Sequence, residues 1–209
     1  EVAEAMLHCG LKPHVVQALD EVMPNFPQIV AMNLREKMVE KGCEVTVKTF
    51  VKKLEQDGKI KATLSDGRVI ETDMVLMCTG VKPFTDLAED AGIILGEKGG
   101  VLTNDKMQTN IEDIYAAGDL VEKTNLVTGK KVLLPLAGPA NREGRTAGCN
   151  MAGGDMSFKG VLGSAVVGFE GLVMAQTGLT YKQALEAGFD ADYIYTEDVN
   201  NASYFPGFG

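Results

Sequence analysis

Histidine is nearly missing from this sequence, and its few cysteines are scattered. His8 and His14 are the only two histidines, and Cys9, Cys43, Cys78 and Cys149 form no C-x-x-C pair. That spacing excludes a zinc constellation and a thioredoxin-type redox pair. Four unclustered thiols and ten methionines suit a reducing compartment and predict a cytoplasmic protein. Cys78 lies in an apolar run and Cys149 in a helical stretch, so each reads as a small buried hydrophobe before a redox group. No apolar run reaches the roughly 18 residues that a membrane span needs. The chain opens at Glu1 on helical sequence rather than on a signal peptide. Positive charge is also short, with 20 Lys and Arg against 29 Asp and Glu. The net charge of −9 argues against nucleic acid or an anionic membrane as the main partner. No internal repeat, low-complexity tract or flexible linker interrupts the chain. What is present is enough apolar sequence, 45% of 209 residues, to build the core of one large domain or two small ones.

Helical and strand patterns alternate from the start. Glu1 to Cys9 reads as a helix ended by Gly10, and Pro13 to Val16 as a short apolar strand. A helix that feeds a strand so abruptly looks like the second half of a β-α-β unit. Pro27 to Lys41 places Ile29, Val30, Met32, Leu34, Met38 and Val39 at helical period and stops at Gly42. Cys43–Val47, Thr49–Leu54 and Ile60–Leu64 read as strands, with turns at Gln56-Asp57-Gly58 and Ser65-Asp66-Gly67. Val69 to Cys78 contains M-V-L-M-C, the pattern of a fully buried strand. In T-G-V-K-P-F, Gly80 permits close backbone approach and Pro83 stops the strand. A short helix follows at Asp86–Ala91, a turn and strand at Gly99–Thr103, and a hairpin turn between Asn125 and Lys130. The helix predicted over Pro139–Met151 carries Gly144 and Gly148, which allow close packing at about 1 kcal/mol each in propensity. Beyond Met156 come short strands, a helix at Tyr181–Ala187 and a strand at Tyr193–Thr196.

One stretch organises the rest: T-N-I-E-D-I-Y-A-A-G-D, Thr109 to Asp119, followed by L-P-L-A-G-P-A-N-R-E-G-R from Leu134. Ile111 and Ile114–Ala117 read as a short buried strand. Gly118 then lets the backbone approach something closely, and Asp119 puts a carboxylate at the strand's end, where open α/β sheets bind ligands. Ala137-Gly138-Pro139 starts a helix with proline at its first position, and that helix start carries partial positive charge.

With T-G-V-K-P upstream, these two pieces resemble the second flavin-binding motif of the FAD-dependent pyridine nucleotide-disulfide oxidoreductases, of the coenzyme A-disulfide reductase and NADH oxidase type. The resemblance covers essentially the whole chain. It implies an incomplete FAD/NAD(P)-binding Rossmann-like three-layer α/β fold, followed by the start of an α+β interface or dimerisation domain. The implied division is 1–78 for part of the nicotinamide dinucleotide domain, 79–153 for the later part of the FAD domain, and 154–209 for the interface domain. The strand and G-x-G-x-x-G loop that would precede Glu1 are not in the chain, which therefore reads as a fragment. The redox cysteine is likewise expected upstream of Glu1, so no catalytic residue is assigned and no metal is expected.

The resemblance also assigns roles. Asp119 would bind the ribityl chain of FAD, with Thr109 and Gly118 beside it, and Leu136, Ala137 and Gly138 would face the flavin edge. Gly80 would sit in the turn that returns the chain to the FAD domain; Phe84 stands where relatives usually carry Asn. Gln17 would lie near the adenosine ribose, where an acidic residue is usual, or else mark a solvated strand end. With no Arg following Gln17, the balance tips slightly toward NADH over NADPH. Asn141 and Arg142 are the candidate substrate contacts, Arg142 and Arg145 being either anion-steering groups or plain surface arginines. The implied activity passes hydride from NAD(P)H via FAD to a small-molecule disulfide such as coenzyme A disulfide, or to oxygen or peroxide, in a homodimer. Two alternatives stay open: a ferredoxin- or nitrite-reductase-type flavoprotein that passes electrons to a protein partner, and a binding module without activity. The apolar positions expected at a subunit contact are Val161, Leu162, Val166, Val167, Phe169, Leu172, Val173, Phe205 and Phe208.

Overall fold

Two parallel strands joined by a helix set the α/β character. The structure is a computed structural model, and it describes residues 1–196. After α1 (Val2–His8), β1 (His14–Val16) leads through α2 (Gln28–Glu40) to β2 (Glu44–Thr46), which pairs with β1 in parallel register from His14–Glu44 to Val16–Thr46. Helix α2 turns Ala31, Leu34 and Met38 inward, at the i, i+3, i+7 spacing of one helix face. It stops where the sequence predicts. Gly42 takes φ of 98°, and the amides of Gly42 and Cys43 fold back onto the carbonyls of Val39 and Met38.

An antiparallel meander follows: β3 (Val51–Asp57), β4 (Lys59–Leu64) and β5 (Val69–Thr72), turned at Gly58 and at Ser65-Asp66-Gly67. Asp66 closes the second turn by accepting from the Arg68 amide at 3.0 Å. Helix α3 (Asp86–Asp90), the two-residue strands β6 (Lys123–Thr124) and β7 (Lys131–Val132), and α4 (Ala137–Met151) come next. The expected hairpin turn joins β6 to β7. Asn150 ties the end of α4 to the chain around it, donating to the Lys106 and Met156 carbonyls and accepting from the Met156 amide.

The hairpin β8 (Ala165–Phe169) and β9 (Leu172–Gln176) turns at Glu170-Gly171, both at positive φ. That is the two-residue turn whose twist matches the strands. Phe169 and Met174 enter one core with Val22, Phe26, Leu34, Met38 and Cys43. The chain divides into two compact units, 1–178 and 179 onward. Within the second, α5 (Tyr181–Glu186) starts with a reciprocal capping box between Thr180 and Gln183, and Tyr181 packs on Tyr193 with ring centres 5.0 Å apart. No helix among the described residues is long and apolar enough to cross a membrane.

Several expectations are corrected. Strand β5 ends at Thr72, and Met74, Leu76 and Met77 are 56%, 53% and 67% exposed. An apolar run becomes a buried strand only when neighbours complete its hydrogen bonds and cover its faces. No described strand does so here. The expected strand at Ile111–Ala117 is reduced for the same reason to a single bridge between Gln108 and Tyr115, and those residues are at most half-buried. Tyr193–Thr196 is irregular rather than a strand. Pro139 is the third residue of α4, not the first; its missing amide still falls in the turn whose amides have no helical partner. Gly144 and Gly148 have open space where a side chain would go, so close packing does not require them. Val161 and Phe169 are buried within the chain itself and Val167 and Leu172 pack against its core, while Leu162, Val166 and Val173 are exposed. Phe205 and Phe208 lie outside the described residues.

Candidate functional site

Asp119 sits in a tight turn whose shape depends on Gly118 at φ of 90°. Upstream, Thr109 closes the 109–114 loop. Its amide donates to the Ile114 carbonyl, and its hydroxyl lies 3.2 and 3.0 Å from the Ile111 and Ile114 carbonyls. With its hydroxyl committed there, Thr109 supports the site and does not itself supply a free donor. Asp119 is exposed and makes no hydrogen bond or ion pair among the described residues.

The turn rests on α4. A side chain at Gly118 would meet the Ala140 side chain at 4.0 Å. The Gly118 amide donates to Glu143 Oε2 at 2.8 Å. Lys123 Nζ donates to the Gly118 carbonyl at 2.7 Å and to that of Val121 at 3.2 Å, and lies 3.3 Å from Glu143 Oε2. The side chains of Lys123 and Glu143 are both 0% exposed. Burial holds the Glu143 carboxyl above its ordinary range. The Gly118 amide and Lys123 oppose that shift, and nearby Asp119 adds to it. Glu143 Oε1 is buried without a hydrogen-bond partner.

Sequence reading missed this pair, yet a signal was there. The buried positions of α4 are Pro139, Glu143, Thr146, Ala147 and Asn150, a helical stripe that puts a carboxylate on the inward face. It missed Glu122 as well, which is 1% exposed and accepts from the amides of Lys98 and Gly100 at 2.8 and 3.2 Å.

Helix α4 begins beside the turn without a side-chain cap, Leu136 standing at the cap position in extended conformation. The amides of Ala137 and Gly138, both exposed, precede the first intrahelical bonds, and Gly138 has open space around it. An exposed carboxylate on the turn and two donors without helical partners at the positive end of the helix it rests on thus remain available. That donor set suits a ligand with hydroxyls on one part and a carbonyl or anionic edge on another.

Asn141 and Arg142 are exposed on the next turn of α4. Each donates back to its own helix, Asn141 to the Ala137 carbonyl at 2.8 Å and Arg142 to that of Gly138 at 3.4 Å. The Arg142 guanidinium lies 5.6 Å from the centre of the Phe158 ring. Gly80 is exposed at φ of 96°, with open space where a side chain would go, so its backbone conformation, not close approach, calls for glycine. Gln17 follows β1. Its amide and carbonyl pair with Thr46 and Thr49, and its side-chain oxygen accepts from the Leu19 amide at 3.1 Å. Among the described residues, no hydrogen bond or ion pair connects Gly80 or Gln17 to the Asp119 turn.

The chain as a whole is similar to known proteins. An NAD(P)H coenzyme A polysulfide/persulfide reductase from Pyrococcus horikoshii is 32% identical over 207 residues, covering 99% of this chain and 46% of that protein. An NADH oxidase from Methanocaldococcus jannaschii is 36% identical over 208 residues, again 99% and 46%. The chain therefore spans about half the length of these curated relatives. The solved structure of an FAD-dependent pyridine nucleotide-disulphide oxidoreductase from Desulfovibrio vulgaris superposes with a TM-score of 0.89 at 35% identity, covering 94% of this chain and 50% of that one. The family model described as pyridine nucleotide-disulphide oxidoreductase matches residues 1–144, and the chain belongs to that family.

Proposed function

We propose that this chain is part of a flavoprotein oxidoreductase that carries electrons from NAD(P)H through FAD to a small-molecule disulfide or persulfide, or to oxygen. The observation that carries this reading is the unpartnered Asp119 carboxylate beside the uncapped start of α4. When bound, FAD would supply hydride acceptance from NAD(P)H and electron delivery to the final acceptor. The residues present fit that group. Asp119 would accept hydrogen bonds from ribityl hydroxyls, and the Ala137 and Gly138 amides would stabilise negative charge at the ring edge. Half-buried Leu136 would wall the entrance, with Gly118 setting the turn and Thr109 holding the loop behind it.

Gln17 would lie near the dinucleotide ribose, with NADH slightly favoured. Gly80 would pass the chain between the two dinucleotide domains, drawn at 1–78 and 79–153, with 154–209 opening an interface domain. Asn141 and Arg142 would meet the substrate through the donors that their helix bonds leave over. No cysteine of the chain is assigned a redox role; Cys43 is buried, and burial followed by the nearby Glu170 charge pushes its thiol up. The choice of acceptors draws support from the likeness to proteins named persulfide reductase and NADH oxidase. A cytoplasmic homodimer completes the proposal.

The test is Asp119→Ala in the full-length protein. Losing one or two charge-assisted hydrogen bonds, about 1.5–3 kcal/mol each, should strip much of the flavin while leaving NADH affinity unchanged. A variant purified with full flavin occupancy would refute the assignment.

A further inference from the structure

We infer that the buried Lys123–Glu143 pair is a positioning device for Asp119, holding its carboxylate in register with the start of α4; this rests on the FAD reading above. Gly118 is anchored on both sides. Its two backbone torsions separate the peptide plane that carries its amide from the plane that carries its carbonyl. Glu143 Oε2 holds the first plane at 2.8 Å, and Lys123 Nζ holds the second at 2.7 Å. The second plane is also the one that leads into Asp119. Glycine has the widest backbone freedom of any residue, and anchoring both flanking planes removes it.

The anchors are joined to each other at 3.3 Å, and Glu143 belongs to the helix whose first turn presents the Ala137 and Gly138 amides. Carboxylate and helix start are therefore tied through one buried connection. Stability alone is a poor reason for such a pair, because two desolvated charges are often matched or bettered by apolar residues of the same volume. Lys123 and Glu143 are wholly buried, so they act through Asp119 rather than on a ligand.

The experiment uses the full-length flavoprotein and measures FAD dissociation, NADH affinity and the visible circular dichroism of the flavin. Glu143→Leu is expected to weaken FAD binding by about tenfold or more with NADH affinity unchanged. Glu143→Gln can still accept from the Gly118 amide and should recover most of that loss. In an Asp119→Ala background, Glu143→Leu should cost nothing further, since a residue that acts through Asp119 has nothing left to position. Where Glu143→Leu does not fold, Lys123→Met takes its place in the same cycle. An equal loss with and without Asp119 overturns the inference and leaves a general structural role. A yellow wild type whose variants keep their FAD overturns the positioning device alone. A wild type that binds no flavin overturns both the device and the reading beneath it.

Discussion

Glu122→Ala offers a direct measure of how much the loop before the site depends on one buried carboxylate. Glu122 Oε1 accepts from the amides of Lys98 and Gly100, the second of them in a buried setting. Hydrogen bonds to an ionised group are worth about 1.5–3 kcal/mol each, and an orphaned buried amide costs about 1–3. The Lys98 amide is partly exposed, so water can replace its partner and its loss is smaller. Against this, Glu122 Oε2 has no hydrogen-bond partner, and its removal returns part of the cost. The balance is a destabilisation of about 3 kcal/mol. A cavity does not simply collapse here, because the carboxylate fills the space left by Gly96 and lies under Gly100. At about 2–4 °C per kcal/mol for a chain of this size, the midpoint should fall by roughly 6–12 °C. Thermal unfolding followed by circular dichroism reads the shift, with Glu122→Gln as the milder control that keeps an acceptor oxygen. An alanine variant that melts within about 1 °C of the wild type would refute the reasoning.

Two further outcomes are expected. Burial raises the Glu143 carboxyl above 4.5, so the folded state binds that proton more tightly than the unfolded chain. Its contribution to stability therefore falls as pH rises from about 4.5 through the raised value and is flat above it. Denaturant titrations of wild type and Glu143→Gln at several pH values should show the wild type losing ground over that window; a pH-independent difference would contradict the shift. Val166 and Val173, 72% and 70% exposed on one face of the β8–β9 hairpin, are the positions where Asp substitution should dissociate the proposed dimer in light scattering. Phe169→Asp should instead unfold the chain, since that ring lies in the core.

Local chemistry was legible in the sequence wherever neighbours along the chain decide the outcome. Helix ends at Gly10 and Gly42 follow from the glycine after the last turn, the turn at Ser65-Asp66-Gly67 falls where predicted, and the one predicted at Gln56-Asp57-Gly58 narrows to Gly58, with Gln56 and Asp57 kept in β3. Burial was less legible, because it depends on what arrives from far away in sequence. M-V-L-M-C has the composition of a buried strand, but no described strand pairs with it. Phe169 and Val167 look like interface residues until the hairpin is seen to pack on α2 and the residues around it. The same holds at the site. Asp119 and the start of α4 could be named from the motif, since their chemistry is written in adjacent residues. Lys123 and Glu143 could not be paired from spacing alone, one opening the β6–β7 hairpin and the other lying in α4 beyond it. Their one trace was a charged residue on the inward stripe of an amphipathic helix. Such a charge is expensive unless partnered, so each one found in a sequence is a reason to look for the opposite charge elsewhere. Here that search leads to Lys123, and through it to the turn that presents Asp119.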